Sequence, residues 1–83
     1  MLRAKFATLR QILHDLGFTM QADAKRMRFD HAPSNTWFLF PPHADEDEVS
    51  VADLVVARYM LDMKELLLRD EFEEQLRRKL EAG

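Results

Sequence analysis

The apolar residues that open the chain fall at Leu2, Phe6, Leu9, Leu13 and Leu16, at spacings of four, three, four and three, with Ile12 widening the stripe. This periodicity predicts an amphipathic helix packed along one face. Gly17 follows directly, where a left-handed C′ residue is expected. Phe18 then takes the C″ position, in reach of Leu13, to complete a Schellman-type stop.

From Phe18 the period changes to two. Phe18 and Met20 alternate with polar neighbours up to Gln21, which predicts a short strand, and Ala22-Asp23-Ala24 connects it to the next. From Lys25 the alternation is clean: Met27, Phe29 and His31 point one way, and Arg26, Arg28 and Asp30 the other. Ala32-Pro33-Ser34-Asn35 supplies turn chemistry. Thr36 to Phe40 is β-branched and aromatic, with Trp37 and Leu39 opposite Phe38 and Phe40. Both faces of this strand are apolar, so it is either central and covered or feeds an interface. Pro41-Pro42 ends it.

The second half returns to helical spacing. Ser50 is placed to cap a helix with Asp53 in its first turn. Leu54, Val55, Ala57, Arg58 and Leu61 continue that helix, apolar around much of its circumference, so it is expected to be largely buried across the sheet. The pattern loosens between Lys64 and Arg69. Asp70 and Glu73 then read as a fresh capping box, with Asp70 as N-cap and Glu73 at N3. Phe72, Leu76 and Leu80 form a narrow stripe, and Arg77, Arg78 and Lys79 complement the helix dipole. The predicted fold is α+β: helix, three-stranded antiparallel sheet and helix, plus a C-terminal helix. It forms a single domain over 1–83, with 64–83 as a helical extension and the helices on one face of the sheet.

Composition narrows the classes without naming one. Eighty-three residues make one domain with a modest core. The absence of cysteine removes disulfides and thiolate metal sites. Arg3, Lys5 and Arg10 interrupt the N-terminal apolar run, no run approaches a membrane span, and the expected compartment is the cytoplasm. The net charge of −3 is uneven: residues 1–31 carry six Lys/Arg against three Asp/Glu, and residues 32–83 carry six against twelve. General nucleic-acid affinity needs basic surface, so only the N-terminal half could supply it. The run Asp45-Glu46-Asp47-Glu48 lacks the glycine and alternate spacing of a calcium loop and is expected to be a solvated loop.

Candidate chemistry is sparse. His14 sits beside Asp15 off the apolar stripe, as a surface residue would. His31 ends the second strand, where a structural hydrogen bond near the turn is expected. His43 lies in a loop after the double proline. No two histidines have helical metal-ligand spacing, and with Gly17 and Gly83 as the only glycines there is no phosphate loop, so no metal or cofactor is expected. Lys25, Arg26 and Arg28 form a basic cluster placed on the second strand. Its functional reading is contact with RNA phosphates; its plain reading is solubility of a solvent-facing sheet. Trp37 either stacks on a base or belongs to the core or an interface.

Over approximately residues 3–61 the chain resembles the HicA-type toxin family, small mRNA interferases with a double-stranded-RNA-binding-like fold. The resemblance is carried by Leu16-Gly17-Phe18 at the end of the opening helix, by Phe29-Asp30-His31-Ala32-Pro33, and by Phe38-Leu39-Phe40-Pro41. Arg58 to Leu61 and Leu66 to Phe72 are similar to a longer branch with a C-terminal helical extension. The family's catalytic histidine belongs to a Gly-Ser-His motif five residues before the histidine matched by His31. Those three positions here are Ala24, Lys25 and Arg26. A guanidinium stays protonated and cannot act as the general base. The resemblance thus implies a component of a toxin–antitoxin system with RNA and an antitoxin protein as partners, and ribonuclease activity lacks its base. The other reading is a non-catalytic protein–protein interaction module or homodimer built on Thr36–Phe40.

Overall fold

The first helix starts later than its apolar stripe because the chain before it is held extended. In the computed structural model, which describes residues 2–82 and side chains as far as Arg78, helix α1 spans Phe6–Asp15. Lys5 bridges antiparallel to Glu48, and the Val49 N–H donates to the Ala4 carbonyl at 2.9 Å. Two of the orphan N–H groups that begin any helix are met by the same loop: Phe6 donates to the Asp47 carbonyl at 2.7 Å and Ala7 to the Asp45 carbonyl at 3.1 Å. Leu2 therefore lies outside the helix. The far end follows expectation. The Phe18 N–H reaches the Leu13 carbonyl at 3.0 Å and the Gly17 N–H the His14 carbonyl at 2.9 Å, with Gly17 at φ +97°. This is a complete Schellman motif.

Three strands follow, β1 (Thr19–Ala22), β2 (Met27–His31) and β3 (Thr36–Phe40), in an antiparallel sheet of order β1-β2-β3. Phe29 lies opposite Met20 on one side and Phe38 on the other, which places all three on one face. A 3₁₀ turn at Ala32–Ser34 joins β2 to β3, with Asn35 in the left-handed region at φ 52°. β2 is the central strand, and β3 is an edge whose Trp37 and Leu39 are exposed, so the alternative of a central, covered third strand is corrected.

Helices α2 (Val51–Met63) and α3 (Arg69–Ala82) complete an α+β fold with three helices and one antiparallel sheet among the described residues. The Ser50 hydroxyl accepts from the Asp53 N–H at 3.2 Å, the predicted cap. α2 is not largely buried: Leu54, Ala57 and Leu61 face the core, while Val55, Val56, Tyr59 and Met63 are exposed. Its end is a second Schellman motif, with Leu66 N–H to Leu61 carbonyl at 2.9 Å and Glu65 N–H to Asp62 carbonyl at 3.0 Å. Here the left-handed residue is Glu65, at φ 58°, which no glycine announces in the sequence. α3 begins at Arg69, so Asp70 lies inside its first turn and is not the cap. Glu73 does not close a capping box; its carboxylate takes Arg58 of α2 at 2.5 Å and Arg69 at 3.5 Å. Phe72 and Leu76 of the predicted stripe are buried in the core, whereas the Leu80 and Lys79 side chains lie outside the described residues.

The core sits between the helices and one face of the sheet. Phe6 has ring centroids 6.1 Å from Phe29 and 6.4 Å from Phe40, and Phe38 stacks on Phe40 at 6.0 Å. Such offset and edge contacts add about 0.5–1.5 kcal/mol per pair beyond the area they bury.

Two substitutions test this description by chemical denaturation. Phe6→Ala removes a fully buried ring, and a loss of about 3–5 kcal/mol is expected. Glu65→Gly relieves a left-handed residue without touching the core; a gain of about 0.5–1 kcal/mol is expected after glycine's entropy is deducted. A loss of stability in the glycine variant would contradict the motif.

Candidate nucleic-acid interface

With the helices on one face, the other face of the sheet is open. It carries Thr19 and Gln21 from β1, Arg28 and Asp30 from β2, and Trp37 and Leu39 from β3. Trp37 is 50% exposed, unusual for a residue of its size in so small a protein. The Arg28 guanidinium lies over the indole at 5.0 Å from the ring centroid, and its Nε donates to both Asp30 carboxylate oxygens at 2.9 and 3.0 Å. Register explains the geometry: Asp30 pairs with Trp37 and Arg28 with Leu39, which makes Arg28 and Trp37 diagonal neighbours. The acid fixes the guanidinium plane against the indole, and such a contact is worth about 0.5–1 kcal/mol at an exposed site.

Lys25 and Arg26 do not lie on the second strand, as the alternation suggests; β2 begins at Met27 and both residues belong to the turn before it. Asp23 builds that turn. Its Oδ1 accepts from the Lys25 N–H at 2.7 Å and the Arg26 N–H at 3.0 Å, and its own N–H donates to the Arg26 carbonyl at 3.0 Å. These two N–H groups, Lys25 first, hold the Asp23 carboxyl below the usual aspartate range. Among the described residues Lys25 and Arg26 take part in no ion pair. Gln21, Asp23, Arg26, Arg28 and Leu39 line a shallow polar depression of about 440 Å³ beside Trp37. Arg26 and Arg28 are thus brought to one depression of the open face, and Lys25 is fixed by its backbone in the turn next to them.

The remaining basic residues of the N-terminal half are already engaged. Arg3 pairs with Glu48, Lys5 with Glu46 at 3.0 Å and Arg10 with Asp45 at 3.0 Å. The acidic run is therefore not a free solvated loop. It is exposed, but it is fastened to the start of α1 by backbone and side chain together. On the C-terminal helix Arg77 and Arg78 both lean on Glu74, the latter at 3.8 Å.

The histidines do not meet. His31 Nδ1 lies 2.7 Å from the Ser34 hydroxyl, and its ring packs on Phe18 at 5.1 Å. It ties the 3₁₀ turn to the end of α1. His43 packs on Phe6 at 5.2 Å, with Nδ1 3.9 Å from Asp47 and Nε2 buried without a hydrogen-bond partner. Its N–H contacts the Met27 sulfur at 3.5 Å. His31 and His43 thus mark opposite ends of the β2–β3 hairpin, about 13 Å apart at the strand rise per residue. His14 is exposed beside Asp15 at 3.6 Å. No imidazole lies on the open face.

A second surface was legible in the sequence only in its β3 half. The outer edge of β3 and the exposed flank of α2 enclose an apolar groove lined by Trp37, Leu39, Val56, Met60 and Met63, with Asp53 and Lys64 also on its walls. Its signals in the sequence are the two apolar faces of Thr36–Phe40 and the apolar breadth of α2. The fold and these two surfaces define an α+β protein with an open, aromatic-bearing sheet face. No family model, curated protein or solved structure matches the chain.

Asp23 gives the site a pH signature. Because its carboxyl titrates lower folded than unfolded, the turn's stabilisation is present above the ordinary aspartate range and is lost as pH falls through the lowered value. Protection of the Lys25 and Arg26 amides relative to their intrinsic exchange rate is expected to be lost only in strong acid in the wild type, and at all pH values in Asp23→Ala. Equal protection in wild type and variant at neutral pH would remove the turn from this account.

Proposed function

We propose that the chain is a HicA-like protein that binds RNA on the open face of its sheet and lacks the general base of an active mRNA interferase. The observation that carries this reading is the half-exposed Trp37–Arg28 pair, with Arg26 lining the same depression as Arg28. The order helix, three antiparallel strands, helix, with the helices on one face, is what a double-stranded-RNA-binding-like fold requires and supports the resemblance.

The chemistry follows from the parts. An exposed indole offers a stacking platform that any unpaired base fits, worth about 1–3 kcal/mol per base. Arg28 is held flat by Asp30 and adds cation–π character to that platform. Lys25 and Arg26, which make no ion pair among the described residues, are the cations offered to phosphates along the same path. Strand cleavage needs a proton taken from a 2′-hydroxyl. Arg26, at the family's histidine position, stays protonated, and His31 faces the helices with Nδ1 committed to Ser34. RNA laid on the open face meets no base. In a toxin–antitoxin setting this chain supplies the RNA-binding part, with an antitoxin protein as the second partner and the cytoplasm as the compartment.

Fluorescence anisotropy with a short single-stranded RNA across a salt series tests this. Trp37→Ala is expected to weaken binding about tenfold, equivalent to about 1.4 kcal/mol. Lys25→Ala/Arg26→Ala is expected to flatten the plot of log K against log salt by about 1.4, at 0.7 per lost phosphate contact. The RNA is expected to remain intact. No binding at low salt, or an unchanged slope in the double variant, would refute the RNA reading.

A further inference from the structure

We infer that the groove between the β3 edge and α2 is occupied by a second copy of this chain, giving a two-fold dimer with a continuous six-stranded sheet. The proposal does not rest on RNA binding. β3 pairs with β2 on one side alone, so one row of its backbone N–H and C=O groups has no strand partner. Exposed edges of this kind are normally blunted by charge, proline or a bulge. β3 carries none of these between Thr36 and Phe40; its outward positions are Trp37 and Leu39.

The sequence of β3 suits pairing with itself. An antiparallel β3–β3 contact centred on Phe38 sets Trp37 opposite the partner's Leu39, and Leu39 opposite the partner's Trp37. Two apolar cross-strand pairs then form on the open face, each worth about 0.2–1 kcal/mol. The same axis, perpendicular to the sheet, brings the two α2 helices side by side and antiparallel on the other face.

The flank of α2 that meets this axis has the matching pattern. Asp53, Val56, Met60 and Met63 line the groove at spacings of three, four and three, the seam of a two-helix contact. Val56 is 54% exposed and Met63 52%, more apolar surface than a solvated helix flank needs. Charge selects the occupant. Asp53 stands at the start of α2 and Lys64 just past its end, both on the groove wall, and among the described residues neither makes an ion pair. Antiparallel α2 helices centred near Arg58 place Val56 against the partner's Met60 and Asp53 against the partner's Lys64. The flank is thus complementary to itself, as an isologous interface requires.

Sedimentation equilibrium and light scattering on the full chain test the proposal. Twice the 9.8 kDa chain mass is expected at tens of micromolar, with Trp37 fluorescence becoming less quenchable by acrylamide as concentration rises. Val56→Glu places a carboxylate in the seam at an exposed position that folding does not need, and is expected to weaken association at least tenfold with an unchanged circular dichroism spectrum. Asp53→Lys and Lys64→Asp are each expected to weaken it, and the double exchange to recover most of the loss. A monomer at several hundred micromolar would overturn the proposal, including one that associates only with a different protein. So would a double exchange that behaves no better than its single parents.

Discussion

Phe6 is where the structure is joined. Its backbone N–H is held by the Asp47 carbonyl, which fixes where α1 begins, and its ring contacts Phe29, Phe40 and His43. One residue therefore sets the start of the first helix, anchors the loop before the second, and seats both against the sheet. The three ion pairs from Arg3, Lys5 and Arg10 to the acidic loop reinforce this junction from outside. Exposed pairs of this kind contribute about 0–1 kcal/mol each, so they align the loop while the aromatic contacts hold it.

The same junction decides which charges are left for binding. By drawing three cations of the N-terminal half onto the acidic loop, it restricts basic side chains without an ion pair there, among the described residues, to Lys25 and Arg26, with Arg28 shared between Asp30 and Trp37. A chain with net charge −3 thereby keeps a small basic-aromatic surface on one side. The helices bury Phe29, Phe38 and Phe40 on their face, which leaves Trp37 and Arg28 as the identity of the other. RNA binding is proposed on that face because the indole and the basic side chains lie there, whereas the groove beside α2 is apolar.

Where a local pattern had one structural solution, the sequence was legible. The stripe of α1, the Gly17 stop, the alternation of β2 and the Ser50 cap each rest on contacts within a few residues. Misreadings arose where the deciding partner is distant, or where a neighbouring side chain competes for the backbone. Leu2 fits the helical period, but Ala4 and Lys5 pair with Val49 and Glu48 and hold the chain before Phe6 extended. Glu73 fits a capping box, but Arg58 on another helix claims it. Lys25 and Arg26 fit the strand alternation, but the Asp23 side chain turns the backbone before Met27. The apolar breadth of α2 suggested burial, because sequence cannot tell a covered face from one left beside an open strand edge. Of the candidate site, the basic residues and Trp37 could be named from sequence; that Arg28 lies over Trp37 required the β2–β3 register.

The central claim is that the open sheet face, and not the helical face, receives RNA. Amide and indole chemical-shift mapping during titration with single-stranded RNA tests this most directly. The account predicts saturable shifts at the Trp37 indole N–H, at Gln21 and at Lys25, Arg26 and Arg28, with the His31 and His43 surroundings unmoved. Shifts confined to the helices, or none on the sheet face at saturating RNA, would contradict it.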